Sequence, residues 1–129
     1  NGGALACQAG MRTYPWGDAA PSCDLAVFSS GGYGCGKKST WPVGSKPKGV
    51  SPYGAHDMAG NVWEWVLDWY DSGYYGKSPK NDPVNNQSAA ARVNRGGGWD
   101  YNAYFLRSGY RYAGGPGASG SALGFRCAR

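Results

Sequence analysis

AGNVWEWVLDWYD, residues 59–71, is the stretch on which the reading of this chain turns. From Val62 onward two sets of side chains alternate: Trp63, Trp65, Leu67 and Trp69 on one side, Val62, Glu64, Val66 and Asp68 on the other. A period of two predicts a strand, and the tryptophan side predicts a strongly apolar face. Glu64 is the only glutamate in the chain, and it sits between two valines. A carboxylate in apolar surroundings needs compensation, from an Arg, from backbone N–H groups or from a metal ion. Asp57 lies seven residues upstream, with the turn MAGN between. A tight turn there brings both carboxylates together, with the carbonyls of Gly60 and Val62 able to point into the same space. Such an oxygen-only set suits Ca²⁺, although the repeated-aspartate pattern of calcium loops is missing.

Outward from this strand, turn formers dominate. Residues 1–22 read as an irregular opening. Residues 23–52 contain SSGGYGCGKK and WPVGSKPKGVSP, a long Gly-, Ser- and Pro-rich segment that a compact domain must pin somehow. Residues 71–91 return to loop character. RVNRGGGW (92–99) predicts a second short strand, FLRSGYRY (105–112) a third and LGFRCAR (123–129) a fourth, with AGGPGASGS (113–121) between the last two. No internal repeat and no helix are predicted. The expectation is one loop-dominated, glycine-rich domain over residues 1–129.

Composition supports this and removes several function classes. The chain has 23 Gly, ten Tyr and six Trp, which favours short strands and many turns. No apolar run approaches the roughly 18 residues of a membrane span. The net charge is +5, but the 13 basic residues are scattered, with Lys37-Lys38 the one adjacent pair, and no nucleic-acid-binding pattern is present. The four cysteines, Cys7, Cys23, Cys35 and Cys127, show no C-x-x-C spacing, and there is a single His. A disulfide framework fits better than zinc and implies an oxidising, secreted or periplasmic setting. Three pairings are open; Cys23–Cys35 would close a glycine-rich loop and Cys7–Cys127 would join the ends. The chain starts at Asn1 without Met or a signal-like segment, as expected of a mature product or a fragment.

YPWGD (14–18), SPYGAHDMAGNVWEWVLDWYD (51–71), RVNRGGGW, RSGYR (107–111) and LGFRCAR occur in that order. In this combination and spacing the chain resembles the carboxy-terminal part of a formylglycine-generating enzyme, or sulfatase-modifying factor, domain. The resemblance implies an α+β, loop-rich fold, a C-type-lectin-like variant with short antiparallel strands and little helix. It maps calcium ligands onto Asp57, the Gly60 and Val62 carbonyls and Glu64, making Ca²⁺ a structural cofactor. At the family's second calcium site this chain departs: Val27 and Cys35 stand where oxygen ligands are expected, and Cys23–Cys35 would pin that loop instead. The family's habit of joining its early cysteine to the one in GFRC implies Cys7–Cys127. Because the family domain is about twice as long, truncation at the amino terminus is expected.

Formylglycine-generating enzymes hold Cu(I) with two thiolates in the stretch after RGG-W, because a soft ion needs soft ligands. Here that stretch reads WDYNAYFLRSGYRY, with Tyr101, Phe105 and Leu106, and no cysteine lies between Cys35 and Cys127. Copper is therefore not expected. The related three-histidine iron site fails on His56, the single histidine. No nucleophile elbow or phosphate loop is present. What the segment 99–119 offers is recognition chemistry, rigid aromatic area beside adaptable polar groups, and the family scaffold is used by diversified proteins to present binding residues there. Asp100, Tyr101, Asn102, Tyr104, Phe105, Arg111 and Tyr112 are the expected ligand contacts, for a protein, peptide or glycan. Trp99, Tyr110 and Phe125 are expected in the core. Catalysis with metal ligands supplied from outside this chain, and self-association into oligomers, are the competing expectations.

Overall fold

The structure is a computed structural model and describes residues 12–127. The alternating stretch forms β1 (Trp63–Trp69), as its period requires. β2 (Arg92–Arg95), β3 (Tyr112–Gly114) and β4 (Leu123–Gly124) complete a four-stranded sheet in the order β3-β2-β1-β4. β2 pairs antiparallel with both β1 and β3, but β4 runs parallel to β1, with Trp63 opposite Leu123. The sheet is therefore mixed rather than purely antiparallel. The cause is connectivity: β3 already runs parallel to β1, and residues 115–122 cross the sheet so that β4 enters in the same direction. Helix is confined, among the described residues, to the 3-10 turns Pro47–Gly49, Tyr74–Gly76 and Ala103–Leu106. None of the described helices is long and apolar enough to cross a membrane.

The core lies beside the sheet, not beneath a helix. Ala26, Phe28, Ala59 and Leu106 form its centre, with Tyr14, Trp16 and the two half-cystines Cys23 and Cys35 packed around them. Gly60 is required where this core meets the turn before β1. Its φ is +82°, and a Cβ there would stand 2.6 Å from the Val27 carbonyl oxygen. This close approach lets Asn61 N donate to Val27 O at 2.8 Å and Gly60 N to Gly96 O at 2.8 Å.

The long irregular segment 23–52 is pinned in two ways. Cys23 and Cys35 are disulfide-bonded, as anticipated. Backbone bonds then tie the loop to the stretch after β2: Ser29 N donates to Tyr101 O at 2.8 Å and Gly34 N to Trp99 O at 2.7 Å. Cys127 is exposed, and its expected partner Cys7 lies outside the described residues.

Three further sequence expectations are corrected. Leu67, assigned to the apolar face, is 67% exposed because the β1–β2 register shifts between Trp65 and Trp69 and interrupts the alternation. Phe125, assigned to the core, is 76% exposed: Arg126 turns inward onto Glu64, so its neighbour turns out. FLRSGYRY is not one strand. Residues 103–106 form a 3-10 turn, Tyr110 N closes a turn onto Arg107 O at 2.9 Å, and the strand begins only at Tyr112.

Candidate functional site

β1 places Trp63, only 4% exposed, at the base of an aromatic cluster. Its ring centroid lies 5.3 Å from Tyr101, 5.9 Å from Phe105, 6.0 Å from Tyr110 and 5.3 Å from Tyr112. Phe105 in turn meets Tyr101, Tyr104 and Tyr110 edge-on at 5.1–5.4 Å. Edge-to-face geometry is the favoured aromatic arrangement, so the rings hold one another rigidly. Gly98 makes the approach possible, since a Cβ there would sit 3.1 Å from both Trp63 Cδ1 and Asp100 Oδ1.

The expected contact residues divide according to what the fold asks of them. Tyr104 (56% exposed) and Tyr112 (42% exposed) present their rings to solvent. Tyr101 and Phe105 are half-buried and form the layer beneath. Asn102 is exposed, but its Oδ1 accepts from Tyr104 N at 3.0 Å and caps the 103–106 turn. Arg111 lies over Tyr75 at 4.2 Å and donates to Asp71 O at 3.0 Å. Asp100 Oδ1 and Trp63 Nε1 are buried without hydrogen-bond partners among the described residues. Burial raises the pKa of Tyr101 and of Tyr110, with neighbouring phenols adding to the effect.

Tyr110, expected in the core together with Trp99, is half-buried in the layer beneath the exposed rings. Arg107 and Tyr75 were not anticipated. The signal available was RSGYR, in which Arg107 and Arg111 flank a Ser-Gly-Tyr turn. Arg107 lies 3.8 Å from the Tyr104 ring centroid and its Nε donates to Tyr104 O at 3.0 Å.

Of the expected calcium ligands, the Glu64 and Asp57 carboxylates both have partners within the chain. Both Glu64 oxygens accept from Arg126 Nε, at 2.9 and 2.7 Å. The same guanidinium donates to His56 O at 2.8 Å and Asp57 O at 3.0 Å. The hydrogen bond to Glu64 is the main cause that holds the Arg126 pKa above its ordinary value. Asp57 Oδ2 instead accepts from Gly44 N at 2.7 Å, and Asp57 itself has φ +54°. Glu64 thus has the arginine partner that its sequence left open as one alternative. Among the described residues, no three His, Cys, Asp or Glu side chains converge.

The chain matches the family described as Sulfatase-modifying factor enzyme 1-like domain over residues 4–129. It is 39% identical over 118 residues to serine/threonine-protein kinase pkn1 of Chlamydia caviae, covering 90% of this chain and 18% of that protein. It is 43% identical over 97 residues to the formylglycine-generating enzyme of Streptomyces coelicolor, covering 72% of this chain and 30% of that enzyme. The chain therefore spans less than a third of the length of either curated relative. Among solved structures, Treponema denticola variable protein 1 superposes with a TM-score of 0.72 at 31% identity, covering 95% of this chain and 42% of that one.

Proposed function

We propose that this chain, which belongs to the Sulfatase-modifying factor enzyme 1-like domain family, is a non-catalytic ligand-binding module. Its recognition face is the segment 99–119, directed at a protein, peptide or glycan. The observation that carries this reading is the pair of exposed rings, Tyr104 and Tyr112, standing on the cluster of Trp63, Tyr101, Phe105 and Tyr110. A rigid aromatic platform loses little side-chain entropy on binding, and large exposed rings make effective anchors. The residues also lack soft donors for copper, since no cysteine lies between Cys35 and Cys127. The test is a peptide and glycan array probed with the wild-type chain and with Tyr104→Ala/Tyr112→Ala. The double variant should lose binding while remaining folded at the assay temperature, checked by its melt, because both rings are largely exposed. Array signals that survive the double substitution would remove the reading.

An enzymatic reading has its own support, because the named relatives include a formylglycine-generating enzyme that is much longer than this chain. Oxygen uptake with a cysteine-containing peptide and Cu(I) separates the two, since the binding module consumes none. Self-association is decided by light scattering across a concentration series. The Cys23–Cys35 disulfide supports a secreted or periplasmic location. A structural Ca²⁺ on Glu64, Asp57 and the Gly60 and Val62 carbonyls belongs to the same proposal, with Arg126 as its competitor inside the chain.

A further inference from the structure

Beside the aromatic platform lies an open cleft of about 410 Å³ lined by Arg12, Thr13, Arg107, Gly109, Tyr110 and Arg111. The backbone assembles it: Ser108 N donates to Thr13 O at 2.9 Å, bringing the chain's early segment against the Arg107–Tyr110 turn. Three arginines thereby line one space, and no lining residue is acidic. Two carboxylates lie near, Asp18 acting on Arg12 and Asp71 on Arg111 through space, and each makes its hydrogen bonds to other groups. Asp18 Oδ1 accepts from Thr13 N at 2.9 Å and Thr13 Oγ1 at 2.8 Å. Asp71 pairs with Lys77 at 2.6 Å and accepts from Gly73 N, and offers Arg111 only its backbone oxygen. Among the described residues, none of the three arginines forms an ion pair with a carboxylate.

The arginines are also pre-oriented with donors to spare. Arg107 spends Nε on Tyr104 O and rests on that ring, which leaves both terminal amino groups for another partner. Arg111 spends Nη1 on Asp71 O and rests on Tyr75, which leaves Nε and Nη2. Like charges brought together without a direct ion pair raise one another's energy, and an anion seated among them relieves it. Guanidinium forks from more than one direction suit a group with three terminal oxygens better than a carboxylate with two.

We propose that this cleft binds a tetrahedral oxyanion, the phosphoryl or sulfuryl group of a ligand that also contacts the 99–119 face. The proposal rests on that face being a ligand surface, and it names the charge chemistry the ligand must carry. The direct probe is isothermal titration of the intact chain with pyrophosphate and with inorganic sulfate, against citrate at matched ionic strength. The two tetrahedral anions distinguish a phosphoryl from a sulfuryl source. At least one of them should bind once per chain, more tightly than citrate, and the affinity should fall as salt rises.

Arg107→Gln and Arg111→Gln should each weaken binding on the order of tenfold, the scale of one lost charge-assisted hydrogen bond. Both residues also make internal contacts, so Arg12→Gln is the arm that leaves those contacts in place, and it should weaken binding as well. Citrate binding as tightly as the tetrahedral anions would overturn the proposal, and so would affinity indifferent to Arg12→Gln. If array ligands persist while both anions fail, the cleft is refuted and the aromatic face stands. If an anion binds in an Arg12-dependent way while the array is silent, the cleft stands and the aromatic-face reading falls.

Discussion

Asn61 shows how much one side chain does in a fold with so little regular structure. It is 8% exposed, and its carboxamide pairs with the backbone of Trp41, Oδ1 accepting from Trp41 N at 3.0 Å and Nδ2 donating to Trp41 O at 3.1 Å. A side chain thus makes the two bonds that a neighbouring strand would make, and it holds the 41–50 loop to the turn before β1. Its φ of +70° is a conformation that Asn tolerates and Ala does not. Asn61→Ala should cost about 2–4 kcal/mol, from two orphaned backbone groups and backbone strain together. Asn61→Gly should cost roughly 1 kcal/mol less, because only the strain is relieved. Urea denaturation of the pair checks this; two variants of equal stability would show that the strain contributes nothing.

The phenols set a second limit at this scale. Tyr101 and Tyr110 have folded pKa values raised mainly by burial. The neutral form is the one the fold stabilises, so their contribution is complete below the unfolded phenol value of about 10 and is lost as pH rises through the folded values. Alkaline unfolding should accompany their ionisation, followed by phenolate absorbance, and Tyr101→Phe should move the transition to higher pH. What the sequence disclosed at residue scale was the kind of compensation each unusual residue needs. Glu64 called for an Arg, backbone N–H groups or a metal, but its partner Arg126 lies 62 positions away, and no local rule reaches that far.

At the scale of elements, β1 was legible because seven residues of alternation outweigh local noise, and β2 from the short stretch RVNR ahead of its glycines. β4 was legible as a strand but not in its direction, since a two-residue strand takes its sense from the crossover at 115–122. The Glu64–Arg126 pair sits at this junction, one residue of β1 gripping the chain just past β4. The Glu64 side chain is 18% exposed and that of Arg126 39%, so the pair is only partly shielded. Arg126→Ala should therefore cost about 1–2 kcal/mol, between exposed and buried ion pairs.

The pair also gives the calcium proposal a sharp form. An ion at one hundred times its Kd stabilises by about 2.7 kcal/mol, less whatever the displaced arginine contributed. Arg126→Gln removes the competitor, so its melting temperature should rise more with added calcium than that of the wild type. Glu64→Gln should show no rise. Melts of wild type and Arg126→Gln that chelator leaves unchanged would remove the ion from the account.

For the molecule as a whole, a small core, a mixed sheet and long loops must share one stability. The centre consists of Ala26, Phe28, Ala59 and Leu106, and much of the chain around it is irregular. The need for a pin in residues 23–52 was legible from composition. How the pin reaches the recognition face was not, because it runs through backbone atoms that carry no sequence signature. Ser29 N and Gly34 N, both within the Cys23–Cys35 loop, hold the carbonyls of Tyr101 and Trp99. The disulfide closes a loop of sequence separation 12, for which the chain-entropy account gives about 3 kcal/mol. Cys23→Ser/Cys35→Ser should lower stability by about that amount. If the loop also positions the platform, the loss is not uniform: amide exchange should accelerate at Ser29 and Gly34 well before it does in the β1–β2 ladder, and array binding should weaken in the same variant. Exchange that speeds equally in both places would mean that the disulfide stabilises the domain only globally, and that the 99–101 backbone is held by the sheet alone.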